Sequence, residues 1–219
     1  MKQKLISKKE FVSKIYDGAS LMVGGFMNVG TPGSLIDAIL ETDVKNLTII
    51  CNDAGLPGIG VGKLIEAGKV KKLIASHIGL NPMAGEKMTS GEMEVELIPQ
   101  GTLAERIRAG GAGLGGFLTP TGLGTIVQEG KRVINVDGRD YLLEKGLKAD
   151  FALLLGHKVD KKGNVVYNKT TRNFNPLMAT ACNTVIVEAK EVVEIGAIDP
   201  DHVITQHIFI DFIVEGDKK

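Results

Sequence analysis

Residues Asp17–Pro32, DGASLMVGGFMNVGTP, read as a strand, a glycine turn and the start of a helix. Leu21, Met22 and Val23 form the short apolar run expected of a parallel strand covered on both faces. Gly24 and Gly25 follow, where a turn can need positive φ or a ligand can need close approach to the backbone. Gly30 then precedes Thr31, a candidate N-cap, and Pro32, suited to the first helical position. The helix predicted over Gly33 to Glu41 carries Leu35, Ile36, Ile39 and Leu40. Its N-terminal amides would face whatever the loop exposes, which favours an anionic or carbonyl group. A βα turn that only packs fits the same residues.

Outward from this stretch, the pattern alternates strand and helix. Ser7 and Glu10 make a capping box for a first helix through about Tyr16. Leu47–Cys51 is the next buried strand, and Asn52-Asp53-Ala54-Gly55 turns at its carboxyl end, where open α/β sheets place ligands. Gly58–Gly62 leads into a short helix ending near Gly68; Lys72–Ile78 and Glu94–Ile98 are further strands. Thr102 and Glu105 make a second capping box for a helix through Arg108, and Gly110–Gly116 ends it. Thr121–Gly130 reads as another short helix. Asp137-Gly138 marks a tight hairpin within Val133–Leu143. Phe151–Leu155 is a very apolar strand, and Asp160–Gly163 turns into Asn164–Tyr167. Asn175 before Pro176 heads a helix toward Ala181, and Val185–Val187 and Ile208–Val214 supply late strands. The expected fold is α/β: an open, mostly parallel sheet with helices on both faces and an antiparallel hairpin or flap. No repeat or linker divides it, so residues 1–219 read as one domain.

Composition narrows the function. Lys+Arg and Asp+Glu both number 26, which gives no basic footprint for nucleic acid. Glycine reaches 28 of 219 residues, roughly twice the average usage of about 7%. The N-terminus lacks the apolar core of a signal peptide, and no apolar run approaches the roughly 18–20 residues of a membrane span. A cytoplasmic protein is expected. Cys51 and Cys182 have no metal or redox spacing and read as small buried apolar residues. The four histidines are scattered, so no metal site is expected. Gly111–Gly116 satisfies G-x-G-x-x-G but follows a helix instead of a strand, and the dinucleotide reading fails on that context. Gln100 lies between a strand end and a helix start, where its amide could donate to a thioester carbonyl or a carboxylate, or simply satisfy loop backbone. Asn173 and Phe174 could line a pocket, with Asn175 an N-cap.

The opening stretch also resembles the signature of family I CoA-transferases, in their A (alpha) subunit: Asp-Gly-x-x, three apolar residues, Gly-Gly-Phe, three residues, Gly-x-Pro. Asn52–Gly55, Gly91-Glu92 with Glu94–Leu97, Pro99–Gly113, Gly163-Asn164, Arg172–Pro176 and Thr184–Glu194 are similar to the same subunits. Leu114–Thr119 and Asn175-Pro176 resemble the bacterial forms acting on acetate, butyrate and acetoacetate. The resemblance implies the fold shared by CoA-transferases and some sugar-phosphate isomerases. It also implies CoA and acyl-CoA as substrates, with no permanently bound cofactor. In that family a glutamate in a Ser-Glu-Asn-Gly motif of the B (beta) subunit carries CoA between acids; no such motif occurs here. The implied partner is therefore a B subunit, in an α2β2 tetramer, with no catalytic nucleophile in this chain. Gly24, Gly25, Phe26, Met27, Asn28, Val29 and Gly30 would form the CoA-binding segment. Gln100 would orient the substrate, and Asn52 and Asn173 would stand at the rim.

Three rivals differ in kind. A self-sufficient acyl-CoA hydrolase needs its own nucleophile, a sugar-phosphate isomerase needs gathered basic residues, and a binding subunit needs neither.

Overall fold

The computed structural model describes residues 3–217. The glycine stretch lies at the centre of the sheet. Strand β1 (Ser20–Val23) pairs in parallel with β2 (Leu47–Ile50), which pairs with β3 (Val70–Ala75), and β3 pairs with β4 (Glu94–Leu97). A small antiparallel sheet holds β5 (Phe117–Thr119), β6 (Val133–Val136) and β7 (Arg139–Glu144). On its other side β1 pairs with β8 (Ala149–Asp160), then β10 (Cys182–Val193) and β11 (Phe212–Glu215), all parallel. β9 (Val165–Val166) pairs antiparallel with β8, from the turn predicted at Asp160–Gly163. The order is thus β11-β10-β8-β1-β2-β3-β4. The early strands run one way from β1 and the late strands the other, so the end of β1 is a topological switch point.

Apolar strand residues divide between two faces. Leu21, Val23, Ile49 and Leu73 pack with Leu35, Ile36, Ile39, Leu64 and Ile65 of α2 (Gly33–Leu40) and α3 (Val61–Glu66). Met22, Ile50 and Ile74 pack with Leu103 and Ile107 of α5 (Gln100–Gly111) and Met178 of α6 (Asn175–Met178). This period-2 division is what a doubly covered sheet needs. The antiparallel sheet, in the order β5-β7-β6, comprises Phe117–Thr119, Arg139–Glu144 and Val133–Val136. Asp137 and Gly138 turn its hairpin, both at positive φ (52° and 80°), as a type I′ turn demands.

Several element ends differ from the sequence reading. α1 is only Lys8–Val12, although its Ser7–Glu10 capping box forms. α4 (Pro82–Ser90), with Asn81 as N-cap and left-handed Gly91 at its end, was not read from a segment of low hydrophobicity. Thr102 caps nothing: α5 begins two residues earlier, and Thr102 is buried inside it. Only Ile126–Gln128 of the Thr121–Gly130 segment is helical, as a 3-10 turn. Ile208 belongs to another 3-10 turn, His207–Phe209, instead of β11.

Thr31 does not cap α2 either. That position falls to Pro32, which has no side chain able to accept a hydrogen bond. The acceptor comes from β10: Glu188 takes the Leu35 amide through Oε2 and the Ser34 hydroxyl through Oε1, each at 3.1 Å. Burial pushes the Glu188 carboxyl above its ordinary value, while the Leu35 and Ser34 donors pull it back. A carboxyl raised in the folded state favours folding below its unfolded value of 4.5 and loses that contribution as pH climbs through the raised value. Glu188→Gln abolishes this titration. The stability difference between wild type and Glu188→Gln, from urea midpoints, should therefore move in favour of wild type from about pH 7.5 to about pH 5. A difference that stays flat contradicts the assignment.

Candidate active site

The glycine loop is a compact turn clamped from both sides. Phe26 and Val29 exchange both backbone hydrogen bonds (3.0 and 2.9 Å), with Met27 and Asn28 at φ 47° and 65° between them. These are type I′ positions. Asn suits such a position; Met there costs on the order of 1 kcal/mol and needs outside support. Support comes from Asp53, three residues after the end of β2: its Oδ2 accepts the Met27 amide at 2.8 Å.

The other clamp comes from the segment leading into α6. Asn173 Nδ2 donates to the Val29 carbonyl at 2.8 Å. Asn175, fully buried, accepts the Leu155 amide of β8 at 3.0 Å. Its Nδ2 donates to the carbonyls of Gly30 (3.0 Å) and Thr171 (2.8 Å). Asn175 is therefore a bracket between strand and loop, not the N-cap expected from Asn-Pro. Gly24 shows why: a Cβ there would lie 2.0 Å from Asn175 Oδ1. The close approach that requires glycine at 24 is by the chain's own amide. Gly25 combines φ 124° with a Cβ position 2.1 Å from Thr31 Oγ1, so no larger residue fits.

These contacts sort the expected site residues. Gly24, Gly25 and Gly30 are buried and shape the loop, while Phe26, Met27 and Val29 present 42–49% of their surface to solvent. Asn28 is half-buried, and its Nδ2 is buried with no hydrogen-bond partner among the described residues. Asn173, expected at the rim, is half-buried beside the loop. Asn52, expected there too, is 3% exposed and sits beneath the loop, its amide given to Asp53 at 2.7 Å. Phe174 is core, packed on the face that carries α5 and α6. Gln100 is the first residue of α5, exposed, on the same sheet edge as the loop. It follows β4, three strands from β1, roughly 14 Å away across the sheet. The structure does not bring the two into contact.

Beside the loop a cleft of about 1020 Å³ is lined by Asn28, Val29, Lys63, Glu188 and Lys190 among others. Glu188 already takes the Leu35 amide and the Ser34 hydroxyl at the start of α2, so the anion site expected at that helix end is filled by the chain itself. Asp53, Asn175 and Glu188 were missed as organising residues. Asp53 alone carried a local signal, following an apolar strand and preceding Ala-Gly.

Residues 6–216 match the family profile described as Coenzyme A transferase. The chain belongs to the CoA-transferase family. It is 52% identical over 214 residues to the acetate CoA-transferase subunit alpha of Escherichia coli strain K12, covering 98% of this chain and 97% of that one. It is also 52% identical to the acetoacetyl-CoA:acetate/butyrate CoA transferase alpha subunit of Clostridium acetobutylicum, covering 98% and 99%. Among solved structures, the acyl-CoA transferase of Escherichia coli O157:H7, in a thioester complex with CoA, superposes with TM-score 0.87 at 22% identity. That match covers 99% of this chain and 48% of the other, so this chain spans about half the length of that protein. Glutaconate coenzyme A-transferase from Acidaminococcus fermentans gives TM-score 0.84 at 17% identity, covering 97% and 75%.

Nothing in this CoA-transferase chain makes a thiol nucleophile. Burial pushes the Cys51 thiol far up and that of Cys182 to about 12. Glu92, Glu94 and Glu96 are paired with Lys87, Lys72 and Arg106 along or before β4. Asn175→Ala would strand the Leu155 amide and remove both donors to the loop carbonyls. Urea unfolding should show a loss on the order of 3 kcal/mol. A loss under about 1 kcal/mol would mean the bracket is dispensable.

Proposed function

We propose that this chain is the one-domain alpha subunit of a cytoplasmic short-chain CoA-transferase, active as an α2β2 tetramer with a beta subunit. It moves CoA between acyl-CoA and a carboxylate of the acetate, butyrate and acetoacetate class. The observation that carries the reading is the near full-length similarity to two alpha subunits named for acetate and for acetoacetyl-CoA with acetate or butyrate.

The chemistry needs a carboxylate relay, because water would squander the thioester. A glutamate of the beta subunit attacks the acyl-CoA carbonyl and expels CoA thiolate, leaving an acyl-glutamyl anhydride. The thiolate then attacks the glutamyl carbonyl, releasing the first acid and leaving a glutamyl-CoA thioester; the second acid takes CoA by the reverse steps. This chain's share is binding and orientation. The exposed side chains of Phe26, Met27 and Val29 offer apolar contact to the CoA arm. Gln100 donates to the carbonyl or carboxylate that faces the glutamate. Asn173 supports the rim through Val29.

Transfer from acetoacetyl-CoA to acetate, measured with this chain alone and then co-expressed with a beta subunit, tests the reading. Turnover only in the complex is expected; transfer by this chain alone would end the half-enzyme account, and hydrolysis without acetate dependence would make it a thioesterase. In the complex, Gln100→Ala should lower kcat about a hundredfold. Activity within about twofold of wild type would remove Gln100 from its role.

A further inference from the structure

We propose that Asp53 is a positioning residue for acyl-CoA, acting through the loop it holds. The inference rests on the reading that Phe26–Val29 contacts the CoA arm. Three N–H donors converge on this one carboxylate: the Met27 amide (2.8 Å) and Asn52 Nδ2 (2.7 Å) on Oδ2, and the Gly55 amide (3.0 Å) on Oδ1. The side chain is only 7% exposed, so these donors replace solvent.

The Met27 amide is the one that matters for the site. Inside a type I′ turn it is used by neither of the turn's own bonds, which join Phe26 and Val29. Without Asp53, a non-glycine residue at φ 47° at the tip of an exposed loop has no reason to stay there. Asp53 is itself fixed. The Ala54 amide donates to the His77 carbonyl at 3.0 Å, and Asp53 and His77 form an isolated parallel bridge beyond β2 and β3. The anchor therefore ties the loop after β1 to the ends of two further strands. Only a carboxylate suits it. Asparagine offers one acceptor oxygen and would turn an NH2 toward at least one of the donors.

Asp53→Asn in the co-purified alpha–beta complex tests this, with hydrogen exchange and steady-state kinetics on acetoacetyl-CoA and acetate read together. Exchange at the Met27 amide should accelerate at least about tenfold, with α3 and β2 unchanged. The kcat/KM for acetoacetyl-CoA should fall about 10- to 100-fold, while KM for acetate stays within about twofold. Unaltered loop exchange would overturn the anchoring role. Faster exchange with unaltered kinetics would instead remove the loop from substrate handling, and Asp53 with it. Should the variant fail to assemble, the wild-type complex decides: a Met27 amide slowed at least about tenfold against an unstructured peptide supports the anchor, and an unprotected one overturns it.

Discussion

The buried amide of Asn175 is the contact on which the site's geometry depends. With one oxygen and one nitrogen it joins the middle of β8, the loop carbonyl of Gly30 and the turn carbonyl of Thr171. Its position also dictates glycine at 24, since any side chain there would overlap it. A hydrogen bond so enclosed contributes modestly when made and costs much more when broken. That asymmetry ties strand, loop and α6 into one unit.

Around this bracket the loop is held from both sides. Asp53 holds its outer limb and Asn173 its return limb, across a turn with two left-handed non-glycine residues. The side chains left outward are apolar, and the backbone beneath them is spoken for. Under the proposed function, such a surface guides an acyl-CoA arm and leaves the nucleophile to the partner. Cys51 is buried as expected, Cys182 only partly so, because it starts β10 near the sheet's end; both thiols are raised, and with the paired glutamates of β4 they fit the proposed division of labour, in which this chain orients and the partner reacts.

Much of the fold was legible because the sheet leaves short apolar runs bounded by glycine turns. The LMV and LTII strands, the Asp137-Gly138 hairpin and the Ser7 capping box all carry local signals. Helix starts were harder. Thr31 and Thr102 have the right chemistry for caps, yet α2 is capped by Glu188, more than 150 residues away, and α5 begins earlier, after Pro99. Long-range caps leave no trace in local sequence. The site was legible in outline, since the glycine stretch falls at the switch point. Its internal wiring was not: Asn175 looked like an N-cap and Asn52 like a rim residue, because burial by distant strands decides what an amide can reach. Gln100 could be placed on the correct edge, but its three-strand distance from the loop depends on strand order.

The central claim is that the covalent carrier of CoA lies on the partner and not on this chain. The most direct test is to incubate the assembled complex with acetoacetyl-CoA, quench it, and locate the CoA adduct by peptide mass mapping. The account predicts a CoA-bearing glutamate in the beta subunit and unmodified peptides throughout this chain. An adduct on any carboxylate of this chain would contradict it.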